Sequence, residues 1–228
     1  MSRLPHPGTY RRHVLVATLT SAALLALLTV AVATGATNAL DVSVRNHFRP
    51  DLVWGVDQQR ASHVVSWLSP PRMLVLLFLG AAVVSAWRRT VWPLVQAAAA
   101  VALTGALTLG LKILLDRADP KGEHTSIGGS FPSGHSAILL VSVATGAMIL
   151  SCPTRWWQRT GVLLAEVALG VAMLYDALHW LTDIVGGVLI AGVVLGVAAL
   201  VAGADGGPSH RRRHRRRDVD REPSRPTV

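Results

Sequence analysis

The chain has 228 residues, of which 51% are hydrophobic and only 15% charged, and its formal net charge is +9 at pH 7. A soluble domain of this size carries roughly 25% charged residues, so the composition argues against a water-facing globule and favours a protein embedded in a lipid bilayer. Its single cysteine, Cys152, excludes an intramolecular disulfide and a cysteine-rich metal site.

Long apolar runs separated by helix breakers predict six membrane-spanning helices. Each run is close to the ~20 residues that a helix needs to cross the hydrocarbon core. The predicted spans are 13–39, 71–88, 91–115, 135–152, 160–179 and 182–203. We therefore expect an all-α fold in which residues 13–203 form a six-helix membrane bundle, between a cytoplasmic tail at 1–12 and a disordered, arginine-rich cytoplasmic tail at 204–228.

The first apolar run follows Arg11 and Arg12 and ends in small residues, as a secretory signal does. It is longer than the usual apolar core of a signal peptide, which has about 7–15 residues. We therefore expect a retained first helix.

The distribution of basic residues predicts the orientation of the helices. In the six-helix layout, 15 of the 22 lysines and arginines lie on one side of the membrane, among them the run 211–217. Because loops rich in lysine and arginine stay in the cytoplasm, both termini are predicted to be cytoplasmic. The loop at 117–134 and the junction at 179–183 then share the opposite face. The basic tail is expected to be solvated and to contact anionic lipids, not nucleic acid.

Two polar blocks flank the loop on that shared face. Lys112 lies near the end of the third span, where a cation is either functional or simply able to reach the interface. Ser133, Gly134 and His135 begin the fourth span. A helix N-terminus offers unpaired N–H groups to a phosphate, and Gly134 allows close backbone approach. His135 is a candidate general acid. A simple N-cap at Ser133 explains the same residues without any ligand.

A third polar block lies between the last two spans. His179 and Asp183 are four residues apart, so they lie close together whether the helix is continuous or broken there. A carboxylate beside an imidazole fixes its tautomer and raises its basicity, which suits a histidine nucleophile that attacks phosphorus. The alternative is a pair of interfacial polar residues at a helix end.

The three blocks, in this order, resemble the motifs of the type 2 phosphatidic acid phosphatase superfamily, which contains lipid phosphate phosphatases and related haloperoxidases. The family pattern is Lys, six residues, Arg-Pro; then Pro-Ser-Gly-His; then Ser-Arg, five residues, His, three residues, Asp. Residues 132–135 match in full, as do His179 and Asp183. The resemblance implies a helical bundle of the vanadium-haloperoxidase and phosphatidic acid phosphatase type 2 kind, without a metal or another cofactor.

The resemblance also implies a role for each block. His179 would be the nucleophile that forms a phosphohistidine, Asp183 would orient it, and His135 would be the general acid. The phosphoryl oxygens would be bound by Lys112, Ser133 and Gly134.

Both arginines of the family pattern are absent from their positions. Asp119 and Met173 stand there, and Ala172 replaces the serine that precedes the second arginine. Losing one preorganised donor to a developing oxyanion costs ~3 kcal/mol, or about 10²–10³ in rate. We hypothesise that Arg117, two residues before the first vacant position, supplies the missing charge and binds phosphate.

Other polar residues carry weaker signals. Asp176 lies one turn before the third-block histidine, where it either tunes that imidazole or is a solvated residue at a helix end. Glu166 is an acid within a predicted span. The loop residues Asp116, Asp119, Glu123 and His124 match no strong metal-ligand spacing, so no metal site is expected.

The favoured function is an integral plasma-membrane phosphatase, bacterial in origin, that acts on a lipid phosphate or (poly)prenyl diphosphate at the outer face through a phosphohistidine. The expected partners are that substrate and the surrounding lipids, and the sequence is silent on oligomeric state. The alternative is a catalytically impaired relative that binds a lipid headgroup or acts as a membrane scaffold. A small transporter or channel is disfavoured, because the polar residues gather at one face instead of the membrane midplane.

Overall fold

The computed structural model describes residues 7–51, 53–124, 128–151 and 155–204. Within these ranges the chain forms eight α-helices: α1 (Pro7–Ala33), α2 (Asn38–Phe48), α3 (Val56–Trp67), α4 (Pro70–Arg88), α5 (Trp92–Leu115), α6 (Gly134–Ile149), α7 (Trp156–Tyr175) and α8 (Leu181–Ala204). Cys152, residues 1–6 of the predicted N-terminal tail and residues 205–228 of the predicted C-terminal tail lie outside the described residues.

Six of these helices correspond to the six predicted spans, but the predicted number of helices needs correction. Two shorter helices, α2 and α3, occupy the segment between the first two spans. Their mixed polar and apolar sequence has no long apolar run, so the apolar pattern does not predict them as membrane spans. The first and fifth predicted spans also end too late, because α1 ends at Ala33 and α7 at Tyr175.

The described part of the chain has four helical segments that are long and apolar enough to cross a membrane: Thr9–Ala33, Val56–Arg88, Trp92–Leu115 and Leu181–Ala202. The second of them joins α3 to α4 through Pro70, a residue that is tolerated in the first turn of a helix. Large apolar side chains such as Leu27, Leu79 and Ile113 are exposed on the outside of the bundle. An outer surface of this kind fits a hydrocarbon environment.

Helices α6 and α8 lie at the centre of the bundle. Helix α6 packs against α4, α5, α7 and α8, and α8 also packs against α1 and α5. Buried Phe131, Val141 and Ile190 fill the space between them. The two helices approach closely at Gly187, where a Cβ atom would lie 2.4 Å from the Ser133 carbonyl oxygen. The start of α8 therefore lies directly against the start of α6.

One end of the bundle collects most of the polar structure, and we call it the site end. It holds the loop between α5 and α6, the junction between α7 and α8, and the short helix α2, which packs on α7 and α8. Thr182 on α8 donates two hydrogen bonds to the carboxylate of Asp41 on α2, and these bonds tie the parts together. The three polar blocks of the sequence all lie here.

Candidate active site

The third block lies at a turn between two helices. Helix α7 ends at Tyr175, and Ala177 has a positive φ of 49° before α8 begins. Asp183 lies in the first turn of α8, where its Oδ2 accepts a hydrogen bond from the Trp180 N–H at 3.0 Å and lies 3.3 Å from His179 Nδ1. Both side chains are buried. When Nδ1 donates to Asp183, the other ring nitrogen, Nε2, is the one able to react.

The second block begins helix α6. The Ser133 side chain accepts a hydrogen bond from the Ser136 N–H, which makes it the predicted N-cap. The Ser133 N–H donates to the Asp183 carbonyl at 2.8 Å, so the second and third blocks are joined through the backbone. The rings of His135 and His179 meet edge to face with centroids 6.0 Å apart. The two imidazoles predicted to act together are therefore neighbours.

Lys112 of the first block points into the loop that leads to α6. Its Nζ donates to the carbonyls of Gly129 at 2.6 Å and Ser130 at 3.1 Å. The Gly129 N–H returns a bond to the Lys112 carbonyl, and a Cβ atom at Gly129 would collide with the backbone of Arg117. The buried ammonium interacts electrostatically with Asp183 and His135. All three blocks therefore meet at the site end.

Arg117 bridges two carboxylates. Its Nη1 donates to Asp183 Oδ1 at 2.9 Å and to Thr182 Oγ1 at 2.9 Å, and its Nη2 donates to Asp41 Oδ2 at 2.7 Å. The guanidinium also stacks over the Trp180 ring at 5.1 Å. It borders a cavity of about 420 Å³ between α2 and the loop after α5. Arg117 thus touches the third block directly, and its charge is shared between two acids.

Asp41 is the residue of this site that sequence reasoning missed. It is 1% exposed. In addition to the bond from Arg117, its carboxylate accepts hydrogen bonds from the Thr182 backbone N–H at 3.1 Å and from the Thr182 hydroxyl at 2.7 Å. Nothing in the local sequence of α2 marks it, because a single acid in a short helix is common on protein surfaces. Its partners are distant in sequence, and folding alone brings them to it.

The two residues that stand in place of the family arginines have other contacts. The Asp119 carboxylate accepts hydrogen bonds from the backbone N–H groups of Lys121 and Glu123 at 2.9 Å each, so it shapes its own loop. Met173 is fully buried, and its Sδ lies 3.6 Å from the Ser133 hydroxyl. Neither position presents a cation to the histidines.

Asp176 is buried, which contradicts the alternative of a solvated helix end. Burial raises the pKa of its carboxyl, and the positive charges of Lys121 and Arg49 oppose that shift. Its backbone carbonyl accepts a hydrogen bond from Arg49 Nη1 at 2.8 Å. Cations of two different segments therefore act on this carboxyl, which follows directly after α7.

The remaining acids of the loop do not gather into a cluster. His124 pairs with Asp116 at 3.1 Å on the exposed surface. Within the described ranges, no group of three or more His, Cys, Asp or Glu side chains is arranged to hold a metal ion. Glu166 is buried in α7, on the same helix as Met173 and farther from the site end.

Two comparisons with known proteins found matches to this chain. A family model described as the PAP2 superfamily matches residues 93–205, which include all three blocks. No match was found among the curated proteins. Among solved structures, the chain is similar to a transmembrane PAP2-type phosphatidylglycerolphosphate phosphatase from Bacillus subtilis, with a TM-score of 0.66, 19% identity, and coverage of 84% of this chain and 98% of that chain.

The family model supports phosphatase activity in general, and the apolar helices support a membrane location. The solved structure shares the helical fold over nearly its whole length. Residues 93–205 belong to the PAP2 superfamily, and the chain has the fold of a solved membrane phosphatase of that type.

Proposed function

We propose that the chain hydrolyses a lipid phosphate or a (poly)prenyl diphosphate through a phosphohistidine intermediate. One observation carries the proposal: two neighbouring imidazoles, His135 and His179, lie beside a buried carboxylate that contacts only one of them. A site that must attack phosphorus and also protonate a leaving oxygen needs two such groups in different environments.

The reaction takes place in two steps. His179 Nε2 attacks phosphorus and forms a P–N bond, the P–O bond to the lipid breaks, and His135 gives a proton to the departing oxygen. Water then attacks the phosphohistidine while His135 takes up one of its protons. The P–N bond breaks and inorganic phosphate leaves. Asp183 holds the Nδ1 side of His179 throughout and stabilises the positive charge that develops on the ring.

The phosphoryl oxygens are bound at the start of α6. Gly134 and its neighbours present backbone N–H groups at a helix N-terminus, which favours an anion there. Two of the three N–H groups of the Lys112 ammonium donate to loop carbonyls, and we assign the third to a phosphoryl oxygen. The Ser133 hydroxyl completes the set. Arg117 remains a predicted phosphate ligand, although its contacts with Asp41 and Asp183 favour a role in holding the site together.

The proposed topology has six membrane passes, made by α1, α4, α5, α6, α7 and α8, with both termini in the cytoplasm of a bacterial cell. Under this topology the site end faces outward. Helices α2 and α3 then lie on the outer side with the site. The headgroup of a lipid phosphate in the outer leaflet lies at the same depth, so an amphiphilic substrate reaches the histidines without leaving the membrane.

A second candidate function is a relative that binds a lipid headgroup without turning it over. The observation in its favour is that Met173 and Asp119 present no cation at the two family arginine positions. Two such losses together are able to remove most of the rate enhancement. In that case the start of α6 still binds an anionic headgroup, but the phosphate is not hydrolysed.

Phosphate release by the detergent-purified protein separates the two candidates. The substrates are a panel of lipid phosphates and diphosphates, with EDTA present throughout. We expect release that resists EDTA, disappears in His179→Ala and persists in His63→Ala, a control at an exposed histidine on α3. No release above His179→Ala from any substrate contradicts the enzyme proposal and favours the binding role.

A further inference from the structure

Asp41 belongs to none of the three blocks and lies outside the segment that the family model matches. It is nevertheless almost completely buried, at the site end. Resting on the proposed function, we infer that Asp41 is a positioning residue: through Arg117 it sets the orientation and effective charge of Asp183, and thereby the reactivity of His179.

A continuous chain of hydrogen bonds leads from α2 to the proposed nucleophile. Asp41 Oδ2 accepts from Arg117 Nη2 at 2.7 Å, and Arg117 Nη1 donates to Asp183 Oδ1 at 2.9 Å. The other oxygen of the same carboxylate, Oδ2, lies 3.3 Å from His179 Nδ1. The two oxygens of Asp183 therefore have different partners, since Oδ1 is held by Arg117 and Oδ2 faces the imidazole.

Asp41 also holds the helix that carries Asp183. Its Oδ1 accepts from the backbone N–H of Thr182, and its Oδ2 accepts from the Thr182 hydroxyl. Thr182 immediately precedes Asp183 in the first turn of α8, so these bonds restrict the position of the Asp183 backbone and therefore of its carboxylate. One acid on α2 thus fixes both the backbone and the charged partner of Asp183.

The charges explain why a second carboxylate is useful here. Asp41, Arg117 and Asp183 together carry one net negative charge, which favours the positive charge that His179 develops during attack. Without Asp41, the guanidinium would be paired with Asp183 alone and the trio would be neutral. In a buried site such a change is felt strongly, because little solvent screens it.

Other charged or titratable groups also lie at the site end. They come from four elements: Asp183 on α8, His135 on α6, Lys112 on α5, and Arg117 in the loop after α5. Asp176 at the end of α7 is buried three residues before His179. Asp41 differs from all of them because it acts only through Arg117 and Thr182.

The test compares Asp41→Asn with the wild type in phosphate release, measured as kcat, KM and the pH dependence of the rate. We expect kcat to fall about 10- to 100-fold, which is the usual effect of removing a residue that orients a reactive group through an intervening side chain. KM should change little. The acid limb of the pH–rate profile should move to lower pH, because less negative charge stabilises the imidazolium. Asp57→Asn, at an exposed acid on α3, is the matched control and should resemble the wild type.

A double-mutant cycle with Arg117→Gln keeps the inference testable if Asp41→Asn alone does not fold. The double variant removes both charges of the buried pair, and its thermal unfolding is measured alongside. If Asp41 acts mainly through Arg117, removing it from the Arg117→Gln variant lowers kcat by less than the about 10- to 100-fold expected in the wild-type background, and the lost bonds to Thr182 account for the remainder. A loss of kcat in the double variant, relative to Arg117→Gln, as large as the about 10- to 100-fold expected for Asp41→Asn, or an unshifted acid limb in a folded Asp41→Asn, overturns the inference.

The wild-type measurement separates this inference from the proposed function. Phosphate release by the wild type with no change in Asp41→Asn overturns the positioning role alone. No phosphate release by the wild type overturns the proposed function and the positioning role with it.

Discussion

Replacement of Gly187 by alanine tests whether the contact between α6 and α8 sets the geometry of the site. The new Cβ atom would lie 2.4 Å from the Ser133 carbonyl oxygen, 2.9 Å from Ser136 Cβ and 3.2 Å from the Ala137 nitrogen. Ordinary contact begins at 3.4 Å, so the two helix starts must separate by about 1 Å. The nearest obstacle is backbone, which has no rotamer through which to move aside.

The size of the effect follows from that displacement. Overpacking of this kind costs about 1–3 kcal/mol, and for a chain of this length each kcal/mol lowers the unfolding midpoint by roughly 2–4 °C. The same shift moves Asp183 relative to Ser133, whose N–H donates to the Asp183 carbonyl. A misplacement of ~1 Å in a catalytic arrangement costs about 10²-fold in rate. Gly187→Ala should therefore lose activity far beyond its loss of stability.

Thermal unfolding in detergent and phosphate release from the preferred lipid phosphate measure the two effects separately. The matched control is Gly146→Ala on α6, where a Cβ atom would meet nothing within 4 Å. Alanine in an open helical position favours the helix by up to ~1 kcal/mol, so this control should be as stable as the wild type or more so. If Gly187→Ala keeps both the wild-type midpoint and the wild-type rate, the close approach of the two helices does not set the site.

Two further predictions concern single charged residues at the site end. Lys112→Met should lower kcat/KM by about 10²–10³-fold and should also destabilise the loop whose carbonyls Lys112 binds. The control Lys121→Met, at an exposed residue, should change the rate little. Equal rates for the two variants would contradict the assignment of Lys112 to phosphate. Asp176→Asn should raise the unfolding midpoint at neutral pH, because burial raises the pKa of Asp176 and its ionisation opposes folding as the pH rises. That gain should shrink as the pH falls toward the ordinary aspartate value of 3.8, and a gain independent of pH would refute the explanation.

The long helices could be predicted because their causes are local. An apolar run of about 20 residues in lipid must form its backbone hydrogen bonds within a single helix. The length and position of each such helix therefore follow from residues that are neighbours in sequence. The N-cap at Ser133 has the same local origin, since its side chain bonds to the N–H of a residue three positions later. The turn between α7 and α8 was harder to locate, because the apolar sequence before His179 gives no sign that the helix stops at Tyr175.

The residues of the polar site also differ in whether the sequence alone could identify them. His135, His179, Asp183 and Lys112 could be named from spacing, since each lies at the end of an apolar run and these ends share one face. The partners of Arg117 could not, because Asp41 is 76 residues away from it and 141 residues away from Thr182. A buried guanidinium pairs with whichever carboxylate the packing brings within reach. Only the packing of α2 against α7 and α8 makes Asp41 that carboxylate and places the charge of Arg117 between Asp41 and Asp183.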